Sequence, residues 1–206
     1  MIKAILYDLD GVLVDATEWH YESLNLALKE VVGFVIERQE HIEIFNGIPT
    51  IKKLEILESQ GRIKKSQFDK IWEIKQEKTT DVINSSAFID PMKMRLHENT
   101  KQYKKCCVTN SIQKTAKLML EKTGQNQFME FLISNEDISN PKPDPEGYVS
   151  AMKKMALQPN ECLIVEDSPK GIDAANKTGA NVFEVSGYND VTLENILKKI
   201  LFFNSE

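Results

Sequence analysis

Five short apolar runs constrain this chain more than any other feature: Ala4–Tyr7, Cys106–Thr109, Phe131–Ser134, Cys162–Val165 and Val182–Val185. Each is four residues long and bounded by polar or turn-forming residues. Near-continuous apolar strands of this kind belong to a parallel sheet covered on both faces. Helical patterns lie between the later runs. Ile112–Lys122 carries Ala116, Met119 and Leu120 on one face, and Gly124 can end it. Pro145–Met155 and Pro169–Thr178 each open on a proline suited to a first helical position. Ser168 is the expected N-cap of the second, Gly179 its stop, and Leu193–Phe203 a final helix. Strand–helix alternation from residue 104 onward predicts an α/β fold with right-handed crossovers.

The interval from Thr17 to about Asn84 breaks this alternation, because it contains no strand pattern. Thr17 is placed to cap a helix through Val31. Glu37–Phe45, Thr50–Ser59 and Ser66–Ile83 read as further helices, with Gly47 and Gly61 as breaks. Ile71 and Trp72 begin an apolar face that Lys75 adjoins. The expected organisation is a core of residues 1–15 and 88–206 with a helical insertion, 16–87, after the first strand.

Composition narrows the function classes. The net charge of −5 argues against a nucleic-acid binder held by a basic surface. With 41% hydrophobic and 28% charged residues the chain is globular rather than disordered. No apolar run approaches the roughly 18 residues that span a bilayer, and the first residues reach an acidic pair too soon for a signal peptide. The three cysteines, Cys106, Cys107 and Cys162, are odd in number and form no CxxC. A disulfide framework or zinc site is therefore not expected, and a reducing cytoplasm is. No coiled-coil heptad occurs, so a monomer acting on a small molecule, without membrane or nucleic acid, is the expectation.

The chemistry concentrates where strands end. Asp8 and Asp10 follow the first run directly, in DLDGVLVD (8–15), and Glu166 and Asp167 follow the fourth, in LIVEDSPKG (163–171). Open α/β sheets bind ligands at the carboxyl ends of their strands. Four carboxylates converging there would raise one another's pKa and oppose folding unless something compensates. A hard divalent cation does so, and Mg2+ suits one or two carboxylates plus a substrate phosphate. Thr109 ends the second run in CCVTNS (106–111). Its hydroxyl and the backbone N–H groups of the following turn, which includes Asn110, are candidates to hold phosphoryl oxygens at a helix N-terminus. Lys142, in NPKPDP (140–145), is restricted by the proline that follows it. A lysine so stiffened suits a cation that must sit at a set point.

These pieces, in this order, resemble the haloacid dehalogenase superfamily of phosphotransferases. The insertion after DLDGVLVD and the run EDSPKGIDAA (166–175) resemble the branch holding β-phosphoglucomutase and phosphoglycolate phosphatase. The resemblance implies a Rossmann-like five-stranded parallel core of order 3-2-1-4-5 with an α-helical cap. It also implies that Asp8 is nucleophile and metal ligand. Asp10 would be general acid/base and lend its backbone carbonyl to Mg2+. Asp167 would be a direct metal ligand, Glu166 a direct or water-mediated one, and Thr109 and Lys142 would bind the transferring phosphoryl group.

The cap should decide the substrate. His20, in EWHYESL (18–24), resembles the mutase's cap-hinge histidine, and Lys75 lies where the mutase has a cap lysine. GIPT (47–50) resembles the mutase's cap loop, but Thr50 stands where that loop carries an arginine. Threonine cannot grip a second phosphate bidentately, although Lys52 and Lys53 are nearby. The expected activity is a Mg2+-dependent phosphatase of a small phosphorylated metabolite, such as a sugar phosphate, acting through an aspartyl phosphate. The alternatives are a sugar-phosphate mutase using the same intermediate and, from another class, a catalytically silent metabolite-binding module.

Overall fold

The computed structural model describes residues 1–45 and 48–205. The chain divides into two compact units, Met1–Asp15 with Phe88–Glu206, and Ala16–Ala87. The first unit contains a sheet of β1 (Ala4–Tyr7), β2 (Lys104–Val108), β3 (Phe131–Ile133), β4 (Cys162–Glu166) and β5 (Asn181–Glu184). All pairings are parallel and the order is β3-β2-β1-β4-β5. The expected fold class and strand order are both present. Each predicted run is a strand, with ends shifted by at most two residues. β1 is buried throughout, as a central strand with apolar residues on both faces must be. The three cysteines are free and buried, as packing residues.

Helices of the second unit are α1 (Thr17–Val32), α2 (Thr50–Ser59) and α3 (Phe68–Ser86). Those of the first are α4 (Pro91–Glu98), α5 (Gln113–Lys122), α6 (Glu146–Met155), α7 (Pro169–Asn176) and α8 (Leu193–Ser205). Ser168 caps α7 as expected, its Oγ accepting from the Gly171 N–H at 3.1 Å. Gly124 and Gly179 follow α5 and α7 with φ of +72° and +74°, the left-handed region that ends a helix.

Several local expectations need correction. Thr17 does not cap α1; Ala16 holds the cap position, with no side-chain bond, and Thr17 is already helical. Pro145 likewise sits one residue before α6 rather than inside it. The stretch expected as one helix over Glu37–Phe45 is a three-residue helical turn, Arg38–Glu40, followed by a π-helical turn, His41–Phe45. Helix α4 was not anticipated. Its Pro91 at the first turn and Asp90 cap, which accepts from Met92 N–H at 2.8 Å, are the start signals that mark it. Trp72 does not lead an apolar face: it is exposed, whereas Ile71 and Lys75 are buried. Gly47, expected as a break, lies outside the described residues.

Each unit has its own core. In the first, Leu6, Cys106, Val108 and Ile164 of the sheet meet Tyr148, Ala151 and Met152 of α6 and Ala174 and Ala175 of α7. In the second, Leu24, Ala27 and Leu28 of α1 lie on one helical face and pack with Leu54, Leu57, Ile71 and Ile74. Burial of each large side chain here contributes about 1.5–3 kcal/mol. Among the described residues no helix is long and apolar enough to cross a membrane.

Candidate active site

Register places the carboxylates. Tyr7 of β1 lies opposite Cys107 of β2 and Val165 of β4. The next residue, Asp8, therefore comes level with Val108 and Glu166, at the carboxyl end where the strand order reverses. Its N–H donates to the Val165 carbonyl at 3.0 Å, which extends the ladder by one residue. The chain then turns sharply: the Leu9 carbonyl accepts from Leu13 at 3.0 Å and Val14 at 2.9 Å. Gly11 enables this turn with φ of +87°. A Cβ there would overlap the Asp167 carboxylate, so glycine is required for space as well as for φ.

Asp8, Glu166 and Asp167 each offer an oxygen within 4.8 Å of the others. The Lys142 ammonium lies among them. It donates to Asp8 Oδ1 at 2.5 Å, Glu166 Oε1 at 2.5 Å and the Val108 carbonyl at 2.8 Å, which occupies all three N–H bonds. Lysine, Asp8 and Glu166 are all buried. Burial alone would lower the Lys142 pKa, but Asp8 and Glu166 outweigh it and hold the ammonium charged. Asp8 is nonetheless raised well above the usual carboxylate range, by burial first and then by Glu166. Asp167 is raised to about 7 for the same reasons, with Asp10 adding to them. One ammonium does not balance this many carboxylates. The excess negative charge calls for bound protons or a second cation.

The residues fit a metal ion. Asp167 Oδ1 is buried and has no hydrogen-bond partner among the described residues, beside two further hard oxygen donors. Glu166 differs from its neighbours in being fully engaged by protein donors. Its Oε1 accepts from Lys142 and from Tyr148 Oη at 2.7 Å, and its Oε2 from the Asp167 N–H at 3.1 Å and Ser168 Oγ at 3.3 Å. A Cβ on Gly171 would overlap this carboxylate. Glu166 is thus fixed on every side.

The other expected residues divide. Asp10 is held by Ser111, whose Oγ donates to Asp10 Oδ2 at 2.9 Å. Thr109 is 2% exposed, and its Oγ1 accepts the Ser111 N–H at 3.0 Å. That leaves the hydroxyl hydrogen to donate elsewhere. The Asn110 side chain engages the Lys142 backbone: Oδ1 accepts the Lys142 N–H at 3.0 Å and Nδ2 donates to the Lys142 carbonyl at 3.2 Å. This two-point clamp adds to the flanking prolines in fixing where Lys142 starts. In the helical unit, Lys75 Nζ lies 3.5 Å from His20 Nδ1. Thr50 is the first residue of α2, half-buried, on the same helix as the buried Lys53.

Tyr148, Ser111 and Gly171 were not singled out from the sequence. Tyr148 donates to Glu166, and its ring centre lies 4.7 Å from Lys142 Nζ. No sequence signal singles out Tyr148, which is one of several buried residues of α6. Ser111 is two residues after Thr109, the spacing of a hydroxyl-capped turn.

Comparison with known proteins agrees with this geometry. Residues 5–185 match the sequence model of the family described as haloacid dehalogenase-like hydrolase. A phosphorylated carbohydrates phosphatase of Thermotoga maritima is 25% identical over 181 residues, covering 86% of this chain and 82% of the relative. A phosphoglycolate phosphatase of Nitrosospira multiformis is 26% identical over 196 residues, covering 92% and 86%. Among solved structures, a β-phosphoglucomutase from Clostridium difficile superposes with a TM-score of 0.83 over the whole of both chains, at 24% identity. That likeness concerns the fold.

Proposed function

Because this chain belongs to the haloacid dehalogenase-like hydrolases and is a phosphomonoester hydrolase of that family, we propose that it releases phosphate from a small phosphorylated metabolite, with Asp8 as nucleophile and Mg2+ as cofactor. The observation that carries this is the Lys142 ammonium fixed between Asp8 and Glu166 beside an Asp167 oxygen without a partner. Asp8, Asp167 and the Asp10 carbonyl would hold the ion, which when bound neutralises charge on the phosphoryl oxygens and on the carboxylates. Glu166, engaged by Lys142, Tyr148 and the following turn, supports Lys142 and suits a water-mediated role better than direct ligation.

The side chains carry the steps. A phosphate ester is anionic and repels a carboxylate. Lys142 offsets that repulsion, and the Thr109 hydroxyl is free to donate to a phosphoryl oxygen. An Asp8 oxygen attacks phosphorus, the P–O bond to the leaving group breaks, and an aspartyl phosphate forms. Asp10, protonated at first and oriented by Ser111, gives its proton to the leaving alkoxide. Water then attacks the aspartyl phosphate, Asp10 takes the water's proton, and inorganic phosphate leaves with Asp8 regenerated. The helical unit acts as the cap that selects the leaving group. The Thermotoga relative's name supports a sugar phosphate as substrate. Thr50 in place of the mutase arginine favours hydrolysis over transfer back to a sugar.

The test is a phosphate-release screen over sugar phosphates, nucleotides and small organic phosphates, with and without Mg2+. Release is expected to require the ion and to fall to background in Asp8→Asn with the fold retained. Undiminished release in that variant would refute the nucleophile.

A further inference from the structure

The turn after β1 carries Asp10, yet its internal hydrogen bonds do not fix where it sits. Its backbone closes on itself: the Leu9 carbonyl takes the N–H groups of Leu13 and Val14, and the Gly11 N–H donates to the Val14 carbonyl at 2.7 Å. The Leu13 carbonyl bonds outward instead. It accepts from Gln125 Nε2 at 2.8 Å, across 112 positions of sequence. Gln125 lies just beyond α5, after Gly124, and is 1% exposed. Its second amide N–H goes to Thr123 Oγ1 at 3.1 Å. Its Oε1 lies 3.0 Å from Nε2 of His97, a fully buried residue of α4.

The protons of this chain follow from its end. A carbonyl can only accept, so the Leu13 oxygen decides which end of the Gln125 amide faces it. The amide oxygen then faces His97, and a bond there requires the imidazole proton on Nε2. His97 Nδ1 is left bare, and it is buried with no partner among the described residues. Burial lowers the imidazole to about 4, against the Gln125 bond and with help from Lys105 and Lys93, so the neutral ring stands at physiological pH. Phe128, stacked at 5.0 Å, and Tyr7, edge-on at 5.8 Å, hold that ring in place. A buried amide and imidazole stabilise a core less than apolar side chains of their size would. What they supply is direction, delivered to one backbone oxygen of the Asp10 turn. Gly11 of that turn also packs against the Asp167 carboxylate, so a turn out of place disturbs the site at two points.

We propose that Gln125 and His97 are positioning residues for the hydrolysis: His97 aims Gln125, Gln125 anchors the Leu13 carbonyl, and the anchored turn aims Asp10 at the leaving group. The inference rests on the reading of Asp10 as the acid that protonates the leaving alkoxide. It adds a backbone attachment to the one that Ser111 makes with the Asp10 carboxylate.

Two measurements on the full chain test it, with Gln125→Met as the main variant, since methionine keeps the side-chain length and removes the amide. The first needs no turnover. Amide hydrogen exchange of Gly11, Leu13 and Val14, read by NMR, should quicken about tenfold relative to the amides of β1, the worth of one lost hydrogen bond. Unchanged relative exchange would overturn the anchor. The second is kinetic and reads proton donation: kcat/KM over a series of aryl and alkyl phosphates of rising leaving-group pKa, with Mg2+ present. A good leaving group departs unaided, whereas a poor one needs the proton of Asp10. Gln125→Met should therefore stay within about threefold of the parent on p-nitrophenyl phosphate and fall roughly ten- to a hundredfold on an alkyl phosphate. His97→Phe, which keeps a ring and loses the donor, should show the same trend in weaker form. Equal losses across the series would overturn the positioning role. Combining the two substitutions separates this from a folding defect. Without an orphaned imidazole N–H, the double variant should regain thermal stability over Gln125→Met yet keep the loss on alkyl phosphates. Activity that returns with stability would overturn the proposal too. Asp10→Asn judges the underlying reading separately, because it should steepen the same series most. If it does not, the acid assignment fails while hydrogen exchange still decides the anchor.

Discussion

The two units of this protein bury charge in different ways. In the sheet unit every buried charged group of the site has a named partner: Lys142 with Asp8, Glu166 and the Val108 carbonyl, and Glu166 with Lys142 and Tyr148. In the helical unit the buried ionisable groups among the described residues, Lys53, Lys75 and His41, are all basic, and ion pairs such as Arg38 with Glu18 and Lys52 with Glu55 lie on the surface. The sheet unit's network is partnered, yet it holds more carboxylates than cations. The helical unit instead buries basic groups on helices whose covered faces are otherwise mostly apolar.

That contrast can be broken at graded cost. The largest effect should come from Lys142→Met, which leaves Asp8 and Glu166 buried without their counter-ion. Removing one partner of a buried pair costs about 3–5 kcal/mol, and turnover should be lost as well. The penalty has a sign with pH. Carboxyls whose pKa is raised in the folded state are stable when protonated, so the loss should be smaller at pH 5 than at pH 8. Thermal unfolding at the two values measures this, and an equal loss at both would mean that the carboxylates are not under mutual strain. Tyr148→Phe should do less. It deletes one hydrogen bond to a charged acceptor, worth about 1.5–3 kcal/mol, and should lower both stability and kcat while KM for substrate stays near that of the parent. An unchanged kcat would make Tyr148 a packing residue only. In the helical unit Lys52→Ala should be close to silent, within about 0.5 kcal/mol and without effect on turnover. A loss as large as that from truncating the buried Lys53 would show that burial does not separate the two lysines.

The same contrast explains what was legible in the sequence. Strands and carboxylates were, because a central parallel strand must be apolar on both faces and the residue after it must stand at the sheet's end. Asp8, Asp10, Glu166 and Asp167 follow from position alone, and the metal-ion fit follows from their charge. Lys142 was legible through its prolines, although the Asn110 side chain that clamps its backbone was not foreseen in that role. The helical unit was less so. Neighbouring lysines on a helix look alike until a partner helix decides which one is covered, and Trp72 was misread for the same reason. The π-helical turn that buries His41 has no strong sequence signature, since its extra residue per turn answers to packing. Tyr148 escaped because its hydroxyl reaches Glu166 across 18 positions of sequence, a contact that only the closed sheet creates.

The claim beneath all of this is that the phosphoryl group passes through Asp8. An aspartyl phosphate is an acyl phosphate, and borohydride reduces it to homoserine. Quenching the enzyme with borohydride during turnover and mapping its peptides by mass spectrometry should therefore find homoserine at position 8, only when substrate and Mg2+ are both present. Homoserine at another carboxylate, or none at all while phosphate is being released, would contradict the assignment.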